Sequence, residues 1–156
     1  MISNHQYHLM VSLMPDTYDA AALRDELSRD EGRRHKPYYD GRMRTSIGIG
    51  RNLDDVGISD AEIDFLFSND VASCEHDLDH NLGWWRALDP VRQRVMLNMT
   101  YNLGWTHFAQ FARFFSAVHA HRWDDAALEM IASRWHTQVG DRALRLEAMM
   151  RTGTAP

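Results

Sequence analysis

The chain has 156 residues, 44% of them hydrophobic and 25% charged, which fits one globular domain rather than a string of them. No stretch approaches the roughly 18 uninterrupted apolar residues of a membrane span, and Met1–Met14 is broken by Asn4, His5, Gln6, His8 and Ser12, which excludes a signal h-region. The one cysteine, Cys74, excludes an intramolecular disulfide framework and points to synthesis in a reducing cytoplasm. A net charge of -5 argues against nucleic acid as partner. Residues 1–90 hold 9 Lys and Arg against 17 Asp and Glu, while residues 91–156 carry a basic excess that could attract a polyanion such as a bacterial envelope, although ordinary solvated helix faces are the preferred reading. Every basic residue except Lys36 is arginine.

In chain order, Tyr18–Glu31 reads as a first helix, with Leu23 and Leu27 one turn apart and Gly32 as the C-terminal stop. Pro37 starts something different. Tyr38–Gly50, rich in Tyr, Thr and Ile and broken by Gly41, Gly48 and Gly50, predicts a β-hairpin or small twisted sheet turning at Gly41-Arg42. Ser59 and Glu62 form a capping box for a long helix to Asn81, with Leu66, Phe67, Val71, Cys74 and Leu78 at helical spacing. Asp89-Pro90 opens the expected core helix, whose stripe is Val91, Val95, Met99 and Leu103 and whose end is Gly104. Shorter helices follow over Thr106–Phe111, Ala112–His119, Asp124–Arg134 and Asp141–Arg151, with Asp124 and Asp141 as expected caps. A small β element, a long connecting helix and a helical second half imply two lobes with a cleft between them.

Two carboxylates flank the crossing from helix to sheet. The negative end of a helix disfavours an ionised carboxyl, so Glu31 suits an acid, whereas Asp40 in a polar turn suits a base. That is the division glycoside hydrolysis needs. The spacing alone is commonplace in a chain with 22 acidic residues, and the surrounding residues carry the argument.

The runs Asp30-Glu31-Gly32, Tyr39-Asp40-Gly41 and Thr45-Ser46-Ile47-Gly48-Ile49-Gly50 resemble the catalytic region of T-even-type phage lysozymes, glycoside hydrolase family 24. Blocks in the same order follow: Leu66-Phe67 with Asp70-Val71, Asn98-Met99 with Asn102-Leu103-Gly104, Phe108–Phe111, Trp123–Ala127, Ser133-Arg134-Trp135, Arg142-Ala143 and Arg151-Thr152-Gly153. The resemblance implies an α+β, mostly α, two-lobed lysozyme-like fold. Its β-hairpin lobe would span residues 18–58, its connecting helix 59–81 and its helical lobe 82–156, with residues 1–17 as an extension of one domain.

The same resemblance implies a muramidase that cleaves the β-1,4 bond between N-acetylmuramic acid and N-acetylglucosamine. Glu31 would be the general acid, Asp40 would activate water, and the hydroxyl residue before Ile47 would hold that water, with inversion. Here that residue is Ser46, where the family usually has Thr, and the neighbouring Thr45 should point to the opposite strand face. Gly50, Asn52 or Leu53 (Leu53 being preferred) and Tyr101 map to sugar contacts, while Phe114 and Glu129 replace polar cleft residues. Arg142, with Arg145 beside it, maps to a guanidinium reaching the Asp30-Glu31 pair, so an Arg142–Glu31 contact is expected.

His76 and His80 lie four apart near Cys74, Asp77 and Asp79, but no HExxH accompanies them, so no metal and no other cofactor is expected. Trp84, Trp105, Trp123 and Trp135 read as core residues. The last helix could touch anionic membranes, but packing on the lobe is the preferred reading. The expected partner is the peptidoglycan glycan strand, met by a monomer without stable membrane insertion, made in the host bacterial cytoplasm and reaching the wall after holin-type release. The rival is a non-catalytic lysozyme-fold module that binds peptidoglycan or sits in a phage tail.

Overall fold

The computed structural model describes residues 18–155, so the expectations placed on residues 1–17 lie outside the described part. The fold is α+β and mostly α. The described residues divide into two compact units, the first ending at Asp60 and the second beginning at Ala61.

In the first unit, helix α1 spans Ala20–Glu31. Asp19 caps it by accepting hydrogen bonds from the backbone N–H groups of Ala21 and Ala22, both at 3.0 Å. The helix stops at Gly32, whose φ of 74° is open to glycine at little cost. The sheet is larger than the Tyr38–Gly50 expectation. It is a three-stranded antiparallel meander of β1 (Arg34–Tyr39), β2 (Thr45–Gly48) and β3 (Arg51–Asn52) in the order β1-β2-β3.

Pro37 does not open the first strand but sits inside it. Proline is tolerated there because β1 is an edge strand and its register with β2 is irregular between Arg34 and Tyr38, where no ladder donor is needed. The turn at Gly41-Arg42 is present as expected. The Met43 N–H donates to the Asp40 carbonyl at 3.0 Å and the Asp40 N–H to the Arg44 carbonyl at 2.9 Å. Met43 takes the left-handed position with φ 59°, the arrangement of a three-residue hairpin loop.

In the second unit, α2 (Asp60–Asn81) begins directly after Ser59 and a 3-10 turn spans Trp85–Ala87. Then follow α3 (Pro90–Leu103), α4 (Trp105–Phe108), α5 (Ala112–His119), α6 (Trp123–Ile131), α7 (Arg134–Val139) and α8 (Asp141–Thr152). Asp89 caps α3 as expected, accepting from the N–H groups of Val91 and Arg92. Asp124 and Asp141 are not caps. They sit in the first turns of α6 and α8, where a negative side chain meets the positive helix end. Helix α7 was not anticipated. Its start is set by Ser133, whose hydroxyl oxygen accepts from the His136 N–H at 3.2 Å.

The buried apolar core belongs to this second unit and runs from Leu78 to Met150. Val95, Met96 and Met99 of α3 lie at its centre, with Val91 and Leu103 partly buried at its edge. Trp85 and Trp135 are buried, while Trp84, Trp105 and Trp123 pack on the periphery. The expected α2 stripe is only half realised. Leu78 is fully buried, whereas Leu66 and Phe67 are 50% and 54% exposed.

Candidate active site

The first unit gathers most of the predicted site residues on one short sheet. Glu31 is the last residue of α1 and is exposed. Its carboxylate reaches the turn between β2 and β3, where a Cβ placed on Gly50 would lie 3.1 Å from Glu31 Oε2 and 3.5 Å from Cδ. Gly50 also has φ +71°. A side chain there would be strained and would press on the carboxylate, so glycine is required both by the turn and by the close approach.

Asp40 stands at the other end of β2. Its Oδ1 accepts hydrogen bonds from the backbone N–H of Arg42 at 2.7 Å and of Arg44 at 2.9 Å. The Arg44 and Arg42 amides stabilise the ionised form and hold the Asp40 pKa below the usual aspartate value, although partial desolvation opposes them. Asp40 is therefore a standing carboxylate at neutral pH.

Strand register decides which hydroxyl shares its face. Tyr38 pairs with Ser46 and Tyr39 with Thr45, and the Asp40–Arg44 backbone bond continues that ladder. Residues directly opposite point to the same side and successive residues alternate. Tyr38, Asp40 and Ser46 thus belong to one face, and Tyr39 and Thr45 to the other. Ser46 is buried, 3% exposed. Thr45 is fixed through its backbone, its N–H donating to Asp54 Oδ2 at 2.8 Å.

The same alternation separates the two candidate sugar contacts. Asn52 pairs with Ser46, whereas the Leu53 N–H donates to the Thr45 carbonyl at 2.7 Å. Asn52 falls on the Ser46 face and Leu53 on the opposite one. The segment after β3 is tied back by an Arg44–Asp55 ion pair and by Asn52 Nδ2 donating to Asp55 at 3.0 Å. Nothing in the sequence flagged this brace, because it depends on which residues face each other across the turn.

Tyr101 and Arg142 belong to the second unit. They line one groove of about 410 Å³ together with Phe67, Cys74, Arg94 and Asn98. The Tyr101 ring is 5.8 Å from that of Phe67. Arg142 is oriented by Asn98, donating from Nε to Asn98 Oδ1 at 2.8 Å and from Nη2 to the Asn98 carbonyl at 3.2 Å. Asn98 is the positioning residue that sequence reasoning missed, although it lies in one of the blocks singled out there. Phe114 is core, 1% exposed, while Glu129 lines a separate pocket with Arg113 and Arg134. The His76 and His80 rings stack on α2 at 6.4 Å.

A sequence model of the phage lysozyme family matches residues 28–151, which include all of these site residues. The chain belongs to the phage lysozyme family. With that membership it is a glycoside hydrolase of the muramidase class, and its fold is the lysozyme-like one. It is 25% identical to a probable T4-type lysozyme 2 of Dictyostelium discoideum, over 86% of this chain and 96% of that one. A second Dictyostelium protein, probable T4-type lysozyme 1, is 24% identical over the same shares. The chain is also 26% identical, over 85% of its length, to the pre-baseplate central spike protein Gp5 of Enterobacteria phage T4, of which it spans 28%.

Proposed function

We propose that this family member hydrolyses the β-1,4 bond between N-acetylmuramic acid and N-acetylglucosamine in peptidoglycan with inversion, by acid and base groups of its first unit. Glu31 donates its proton to the departing glycosidic oxygen as the C–O bond breaks. Asp40 takes a proton from the water that attacks the anomeric carbon, and Ser46 holds that water. The observation that carries this reading is the placement along β2. The Glu31 carboxylate rests on Gly50 at one end, Asp40 closes the turn at the other, and Ser46 shares the Asp40 face. Gly50, Tyr101 and either Asn52 or Leu53 serve the glycan, with register favouring Asn52. Arg142 supports the acid, and residues 1–156 act as one lysozyme domain without a cofactor. In the cell the enzyme serves host lysis as a monomer, made in the host cytoplasm and released to the wall by a holin-type route; among the described residues no helix is long and apolar enough to cross a membrane.

Clearing of purified peptidoglycan by wild type and by Glu31→Gln, with mass analysis of the products, tests the reading. Wild type is expected to release fragments with a free N-acetylmuramic acid end, and the variant to lose at least about a thousandfold in rate. Equal failure to clear by both proteins rejects the catalytic reading. It would favour the second one, a baseplate or tail module, which the likeness to the Gp5 spike protein supports.

A further inference from the structure

Resting on the muramidase reading, we propose that Arg34 recognises a carboxylate on the peptide branch of the substrate, from a position on the same sheet face as Asp40. Arg34 pairs with Gly48, and Tyr38 with Ser46, across the β1–β2 ladder. The Arg34 Cζ lies 4.9 Å from the centroid of the Tyr38 ring. The two side chains therefore lie on one side of β1, the side of Ser46 and Asp40.

Several of the described guanidinium groups have an acid to neutralise them. Arg86 pairs with Asp79, Arg92 with Asp89, Arg122 with Asp125 and Arg151 with Glu147. Among the described residues Arg34 has no carboxylate partner, and it is exposed on an edge strand. A guanidinium supported by an aromatic ring keeps its N–H fork free and is restrained before any ligand arrives. It suits bidentate capture of a carboxylate better than a mobile lysine would.

The chemistry of the substrate supplies the need for such a group. Peptidoglycan branches carry free carboxylates, and the standing carboxylate of Asp40 repels anions. A cation on the Asp40 face offsets that repulsion and favours the peptide-bearing glycan over neutral ones. Tyr38 is the positioning residue, holding the guanidinium through its ring and not its hydroxyl.

Calorimetric titration of the full-length Glu31→Gln protein tests this with two soluble ligands: a disaccharide-peptide with free carboxylates, and the same molecule with those carboxylates converted to methyl amides. The free-acid form is expected to bind about tenfold more tightly. Adding Arg34→Gln should abolish that preference while leaving affinity for the amide form within about twofold. Tyr38→Phe should keep the preference and Tyr38→Leu should reduce it. A preference unchanged by Arg34→Gln, or an equal loss for both ligands, overturns the proposal. Absence of any preference in the parent protein overturns it too. Cleavage by the wild-type protein, measured separately, reports on the muramidase reading alone.

Discussion

At Asp40 the two carboxylate oxygens are used differently. Oδ1 closes the hairpin turn by accepting the Arg42 and Arg44 amides, and among the described residues no hydrogen bond occupies Oδ2. Asp40→Asn keeps an oxygen for both amides and loses only the charge, so it should abolish turnover with little change in melting temperature. Because these amides lower the native pKa, the acid limb of the kcat/KM profile is expected below the ordinary aspartate value of about 3.9. The sign for stability follows from the same shift. The contribution of ionised Asp40 is complete above the unfolded-state value and is lost as pH falls through the native one, so Asp40→Asn should flatten that part of the acid dependence of Tm. An acid limb near neutrality in the wild-type profile would contradict this assignment.

Ser46 and Thr45 give the sharpest single-residue contrast. Register puts Ser46, not Thr45, on the Asp40 face, so Ser46→Ala is expected to lower kcat by about a hundredfold through loss of water positioning. Thr45→Ala should stay within a fewfold of wild type in the same clearing assay. The reverse pattern would reject the register argument. Serine lacks the methyl that restricts threonine rotamers, so Ser46→Thr is the natural rescue comparison.

At the scale of elements, the C-terminus of α8 is held by a side chain from another helix. Arg92 of α3 is 8% exposed and donates from Nε to the Met150 carbonyl at 2.8 Å and from Nη2 to the Arg151 carbonyl at 3.0 Å. It also pairs with Asp89 at 2.7 Å and lies 3.9 Å from the Trp123 ring centroid. One guanidinium thus satisfies the last carbonyls of one helix, caps its dipole and ties it to α3 and α6. Arg92→Met should cost about 2–4 kcal/mol in urea unfolding, since it leaves buried acceptors unpaired. Gly153 has φ +70°, and a Cβ there would approach Arg92 Nη1 to 2.5 Å. Gly153→Ala should cost about 1–2 kcal/mol. The double variant should lose less than the sum, because both changes act on the same guanidinium.

Much of this element structure was legible locally. Asp89-Pro90, Gly32 and Gly104 announce helix ends because caps and stops are set by one or two residues. Pro37 misled because its meaning depends on whether the strand is at an edge, which a lone segment does not reveal. Helix α7 was hidden because Arg134–Val139 is too short to show a period.

At the scale of the molecule, apolar burial is distributed unequally. Among the described residues the buried hydrophobic ones lie between Leu78 and Met150, within the second unit, and the buried residue of the first unit is the polar Ser46. Burial of apolar surface is the main favourable contribution to folding. A fragment of residues 61–156 should therefore show helical circular dichroism and cooperative thermal unfolding, whereas residues 18–60 alone should show no cooperative transition. A first unit that melts cooperatively by itself would contradict this. The exposed Leu66 and Phe67 show why a helical apolar period was an incomplete guide. A period reports that a helix has an apolar stripe, not which part of the stripe meets a partner.

The linear chain by itself determined the Asp89-Pro90 cap, the Gly32 and Gly104 stops, the Gly41-Arg42 turn, and the carboxylate and hydroxyl types at Glu31, Asp40 and Ser46, because each rests on the chemistry of one residue and its near neighbours. Only the tertiary structure decided that Ser46 shares the Asp40 face, that Gly50 lies under the Glu31 carboxylate, that Asn98 holds Arg142 and that Arg34 stands over Tyr38. Those facts depend on strand register and on contacts between residues distant along the chain, which no local pattern encodes.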